Sequence, residues 1–174
     1  MIIANYMLAY AGLDRLWFVV SPHNPLKDKA TLLDDRHRLE LVRLAIGDNN
    51  KMKASDIEFK MKQPSYTIHT LVTLQEKYPE YRFHLIMGSD NLATLHKWKN
   101  YEEILKQFHI LVYPRPKNEG GPLLAHPHVK LVSAPHVEVS STFIREAIKA
   151  RKDVRYYVPP AAWEYIREMH FYEK

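Results

Sequence analysis

Short apolar runs alternate with helical segments along the chain, and this alternation constrains its folding most. Leu16 to Val20, Tyr81 to Met87, Phe108 to Tyr113 and Val129 to Ser133 read as buried strands, because near-continuous apolar stretches suit a sheet covered on both faces. Between them lie segments with apolar residues three and four apart, the period of a helix with one buried side. Met1 to Ala11 places Ile3, Met7 and Tyr10 on one face, with Gly12 as its stop. Asp34 or Asp35 caps a helix carrying Leu39, Val42, Ala45 and Ile46, and Gly47 ends it. Ser65 or Thr67 starts a helix ending near Tyr78-Pro79, and Asn91 to His96 forms a short one. Asn100 caps a helix bearing Ile104 and Leu105, and Pro160 opens the last. Met52 to Phe59 reads as an irregular extended segment. Strands alternating with helices predict an α/β fold with a parallel sheet, in one domain spanning residues 1–174 whose last helices, from about 141, form its C-terminal part.

In such folds ligands bind beyond the carboxyl ends of the strands. Four polar clusters fall there: Ser21 to Lys29, Gly88 to Asp90, the Pro114-Arg115 turn, and Ser140 to Arg145. Ser140, Ser141 and Thr142 open a helix whose unpaired N–H groups and dipole favour an anion, and Arg145 stands one turn in, able to reach back over the same end. Helix capping alone accounts equally for such a hydroxyl run. Gly88 would let a ligand approach the backbone, Ser89 follows it, and Asp90 could accept a ribose hydroxyl proton or simply cap a helix. Lys27 lies in a loop whose cations suit phosphate or merely solvation. Trp98, between Lys97 and Lys99, offers a ring for stacking or a lid over the core.

Several classes are excluded. The chain has no cysteine, so neither a disulfide scaffold nor a thiolate metal site can form. No window resembles a membrane span or a signal peptide. The net charge of +5 invites anionic partners, but the basic residues form no arm or aromatic-interleaved strand, which favours small anions over nucleic acid. His69, His84, His96, His109, His126, His128 and His136 are spread along the sequence and match no metal-ligand spacing.

These motifs together resemble the bacterial nicotinate-nucleotide adenylyltransferases of the nucleotidylyltransferase superfamily. Trp17 to Pro22 with Pro25-Leu26-Lys27 is similar to the family's second strand and loop, and Pro64-Ser65-Tyr66-Thr67 with Thr70-Leu71 to its P-S-Y-T-x-D-T-L motif. Gly88-Ser89-Asp90 with Trp98 resembles its G-[AS]-D segment and downstream tryptophan, and Ser140 to Arg145 its I-S-S-T-x-I-R motif. The resemblance runs from Met1 to about Tyr172. It implies a Rossmann-like parallel sheet with helices on both faces, and adenylyl transfer from ATP to nicotinate mononucleotide in a cytoplasmic step of NAD biosynthesis. Mg²⁺ would accompany the ATP, a homodimer would be compatible, and neither nucleic acid nor membrane would be a partner. It assigns Gly88, Ser89, Asp90, Ser140, Ser141, Thr142, Ile144 and Arg145 to ATP. Tyr66, Thr67, Trp98 and the Lys99 backbone N–H go to the acceptor, and Lys27 and Arg145 to charge neutralisation during transfer.

His69 stands where the family motif has aspartate. The family's first strand and its G-x-F-x-P-x-H-x-G-H loop would precede Ile2-Ile3-Ala4 and are not in the sequence. Their loss would leave strand edges unpaired, so the expectation is that Met1 lies inside a longer natural chain. A true truncation would instead make the chain a non-catalytic nucleotide-binding module. Phosphopantetheine adenylyltransferase is the enzymatic alternative, against which Tyr66-Thr67 and Trp98 argue.

Overall fold

The computed structural model describes residues 1–22, 33–116 and 118–173. Its contacts divide the chain into two units. One contains Met1, Asp14–Lys60 and Glu138–Lys174, the other Ile2–Leu13 and Met61–Val137.

In the first unit, β1 (Leu16–Val19) pairs in parallel with β2 (Met52–Ser55), Leu16 opposite Met52 and Val19 opposite Ser55. The segment read as irregular is therefore a strand up to Ser55, followed by a 3₁₀ turn at Ile57–Lys60. Helix α2 (Asp35–Ile46) connects the two strands. The Asp34 carboxylate accepts the Arg36 N–H at 2.9 Å, and Gly47 closes the helix at φ 60°. Helix α6 (Ser141–Lys149) and α7 (Pro160–Glu168) complete the unit. Helices α2 and α7 pack together, His37 sharing a 2.8 Å hydrogen bond with the Tyr165 hydroxyl. Ile148, Val154, Ile166 and Phe171 form a buried cluster, with Leu33, Leu41 and Ile144 against it.

The second unit has β3 (His84–Gly88), β4 (His109–Tyr113) and β5 (Val129–Leu131), all parallel, with β4 in the centre. The β4 core residues Ile110 and Val112 are wholly buried, as a doubly covered strand requires. Helices α3 (Thr67–Lys77), α4 (Ser89–Thr94) and α5 (Tyr101–Gln107) carry Ile68, Leu71, Leu92, Ile104 and Leu105 into the same core. Helix α1 (Ile2–Tyr10) buries Ala4 and Met7. Tyr10, expected on that inward face, is instead 72% exposed and stacks on Tyr6, since it ends the helix.

The expected parallel sheet is thus two parallel sheets, of two and three strands. Among the described residues β1 pairs only with β2 and β3 only with β4, so each keeps one unpaired side. The extended lead from Val137 to Val139 forms no strand.

Candidate nucleotide and acceptor sites

In the second unit, β3 delivers Gly88 beside Tyr113 at the carboxyl ends of β3 and β4, and α4 begins at once with Ser89. Gly88 has an ordinary extended backbone, φ −76°, so its glycine is not required by dihedral angle. A Cβ there would overlap the Asp90 carboxylate and lie 2.8 Å from Arg115 Cγ. The space expected for a ligand is used by the protein's own Asp90 and Arg115.

Ser89 is 2% exposed. Its hydroxyl donates to the Asn118 carbonyl at 2.8 Å and accepts the Arg115 N–H at 2.9 Å. That side chain fastens the 114–118 turn to the end of β3, a role its sequence neighbours do not signal. Asp90 is exposed, and its carboxylate lies 3.9 Å from Arg115 Nε. Such a long, solvated pair is worth at most about 1 kcal/mol, which leaves the carboxylate free to accept hydrogen bonds. Burial pushes the Tyr113 hydroxyl pKa up; Arg115 opposes this and Asp90 adds to it. Tyr113 therefore stays a protonated donor beside the Asp90–Arg115 pair.

Tyr66 and Thr67 lie at the start of α3. Tyr66 is the cap residue but provides no side-chain cap, and the half-buried Thr67 occupies the first helical position. Capping thus does not account for the Thr67 hydroxyl, which makes no hydrogen bond among the described residues. Trp98 closes a 3₁₀ turn (Leu95–Lys97), its N–H bonded to the Leu95 carbonyl at 2.8 Å. Its ring is half-buried against the core. Asn100 begins α5 in the left-handed region at φ 51°, without the expected side-chain cap. The Lys99 ammonium rests 4.4 Å from the centre of the Tyr66 ring, a contact that sequence spacing did not reveal. His69 meets the same ring edge-on at 5.7 Å.

In the first unit, Ser140 caps α6, its hydroxyl accepting the Phe143 N–H at 3.1 Å. The Ser141 and Thr142 N–H groups are left without intrahelical partners, as at any helix start. Arg145 does reach back, donating from Nη2 to the Thr142 hydroxyl at 3.1 Å. Ile144, assigned to ATP from sequence, packs its side chain against the Ile148 cluster. Arg38 donates to the carbonyls of Pro22 and Leu33 at 3.2 and 3.0 Å. Lys27 lies outside the described residues.

The scattered histidines converge more than their sequence positions suggested. His84, His109 and His128 follow one another at ring distances of 5.5 and 4.6 Å, and His126 meets His128 at 5.7 Å. Among the described residues no group of three or more His, Cys, Asp or Glu could hold a metal ion.

The cytidylyltransferase-like family model matches residues 1–147, which places the chain in the nucleotidyltransferase class. A probable nicotinate-nucleotide adenylyltransferase of Flavobacterium johnsoniae is 56% identical over 176 residues, covering 100% of this chain and 91% of that protein. One of Bacteroides thetaiotaomicron is 49% identical, covering 95% of this chain and 82% of the relative. Nicotinic acid mononucleotide adenylyltransferase of Plasmodium falciparum, complexed with NaAD, superposes with a TM-score of 0.81 over 98% of this chain and 88% of that one. At 19% identity that match shows the shared Rossmann-like nucleotidylyltransferase fold. With relatives this similar over nearly its whole length, the chain belongs to the nicotinate-nucleotide adenylyltransferase family.

Proposed function

We propose that this chain transfers the adenylyl group of ATP to nicotinate mononucleotide, giving nicotinate adenine dinucleotide and pyrophosphate. The observation that carries this is the 56% identity, across the whole chain, to a relative named for that activity. The Plasmodium enzyme complexed with NaAD, the product of this transfer, agrees in fold.

The transfer needs no protein nucleophile. A phosphate oxygen of the acceptor attacks the α-phosphorus of ATP in line, and the bond to the bridging oxygen breaks as pyrophosphate leaves. The protein positions both substrates and neutralises charge. Arg145, the Ser141 and Thr142 hydroxyls and the first N–H groups of α6 would hold the polyphosphate. Asp90 would accept from the ATP ribose, beside Gly88 and Ser89. Ser140 and Ile144 would act through the geometry of the helix start. Lys27 would supply a second phosphate contact.

Trp98 would stack on the pyridine ring beside Tyr66, while the Thr67 hydroxyl and the Lys99 N–H face its carboxylate. A magnesium ion carried on the triphosphate and completed by water needs no protein cage, which fits the donor set described; when bound it would neutralise phosphate charge. No helix among the described residues is long and apolar enough to cross a membrane. We place the activity in the cytoplasm, in a single domain, with ATP and nicotinate mononucleotide as partners and with a homodimer compatible with it.

The test is pyrophosphate release from ATP with nicotinate mononucleotide, nicotinamide mononucleotide and phosphopantetheine as competing acceptors. The first is expected to turn over fastest; faster turnover with phosphopantetheine would overturn the proposal.

A further inference from the structure

Lys99 combines three properties. Its side chain is exposed, its ammonium lies over the Tyr66 ring, and no carboxylate lies within ion-pair distance of it among the described residues. A lysine on a flexible stem normally scatters its charge over many rotamers. The negative face of an aromatic ring biases this one toward a single location. Tyr66 is itself held, half-buried and packed against the core, at the start of α3. His69 meets the same ring edge-on and brings no negative charge to it.

We infer that the Lys99 ammonium, seated on Tyr66, is a specificity determinant that favours an acceptor bearing a carboxylate on its pyridine ring over the corresponding neutral amide. This rests on the acceptor pocket proposed above and adds a charge to it. Backbone N–H and hydroxyl groups can also serve an amide oxygen, whereas a full positive charge distinguishes an anion from a neutral isostere of the same shape. The phosphate is common to both acceptors and contributes nothing to the difference. Because the lysine is exposed, the discrimination should weaken with salt.

The test is the KM and kcat of the parent enzyme and its variants with nicotinate and nicotinamide mononucleotides, at low and high ionic strength. Lys99→Met should lower the acid-to-amide preference at least fivefold, through KM for the acid with kcat little changed, and should remove most of its salt dependence. Tyr66→Leu, which keeps the charge but removes its seat, should lose part of the preference. His69→Asp, which sets a carboxylate at the edge of the same ring, should also reduce it. Trp98→Ala and Thr67→Val report on the pocket itself. If Trp98→Ala weakens both acceptors while Lys99→Met leaves their ratio unchanged, the inference is wrong and the pocket stands. If neither Trp98→Ala nor Thr67→Val changes acceptor KM, the pocket is misplaced and the inference falls with it.

Discussion

A single buried hydroxyl shows how much of the candidate adenosine site is held from outside the motif that announces it. Ser89 sits in a segment that sequence alone assigns to the ligand, yet its oxygen joins the end of β3 to Arg115 and Asn118. Ser89→Ala would take away the hydroxyl partner of the part-buried Asn118 carbonyl and Arg115 N–H, costing about 1 kcal/mol. It should also let the turn carrying Arg115 drift from Asp90. The expected outcome is a lower urea midpoint together with a higher KM for ATP; unchanged values in both would remove Ser89 from this role. Arg145 presents the opposite case. Its bond to Thr142 is partly solvent-exposed and contributes little to folding. Arg145→Ala should therefore keep the fold and lower kcat/KM for ATP at least tenfold, about 1.4 kcal/mol. Normal kinetics in a folded variant would reject the assignment. Asp90, Thr67 and Arg145 could be picked from sequence because each follows a strand or lies in the first turns of a helix, and Trp98 because it is an aromatic ring set between two lysines. The Arg115–Asp90 and Lys99–Tyr66 contacts could not, because each joins separate elements and depends on how they pack.

At the level of elements, the polar clusters are positioned by buried leucines. The segment from Ser89 to Trp98 is a short α-helix running into a 3₁₀ turn, too short to persist on intrinsic propensity alone. Leu92 and Leu95, both fully buried, hold it to the core, with Asp90 ahead of them and Trp98 behind. Leu95→Ala should cost about 2–5 kcal/mol and loosen Trp98, whose N–H is bonded to the Leu95 carbonyl. Thermal unfolding and acceptor KM should change together; a destabilised variant with native acceptor affinity would show that Trp98 is positioned from elsewhere. The elements legible in sequence were those whose own pattern suffices. The Asp34 cap and Gly47 bracket α2 as read, and β4 announces itself by the apolar run Ile110 to Tyr113 behind His109. Strand β2 was not legible. Its four residues, Met52 to Ser55, bury only the first and last, a pattern with no strand period. Its conformation comes from pairing with β1, far away in the sequence.

For the molecule as a whole, His84, the first of a row of histidines, makes stability depend on pH. His84 begins β3, His109 begins β4, and His128 immediately precedes β5, its Nδ1 sharing a 2.7 Å hydrogen bond with the Leu105 carbonyl. His126 packs edge-on beside His128. Within this row the Nδ1 of His84 is buried and has no hydrogen-bond partner among the described residues. Burial lowers the His84 pKa, and His109 and Arg82 lower it further by repulsion. An unfolded chain would protonate His84 near its ordinary value of about 6.5, while the folded chain resists until a lower pH. Between those two values the unfolded state binds more protons, so stability falls as pH falls; above about 6.5 the residue is neutral in both states and contributes no slope. His84→Gln removes this titration and leaves the carboxylates untouched. Urea denaturation of parent and variant from pH 8 to pH 5 should show the difference in unfolding free energy moving in favour of the variant as the solution is acidified. A difference that stays constant across that range would show that His84 carries the same proton occupancy folded and unfolded.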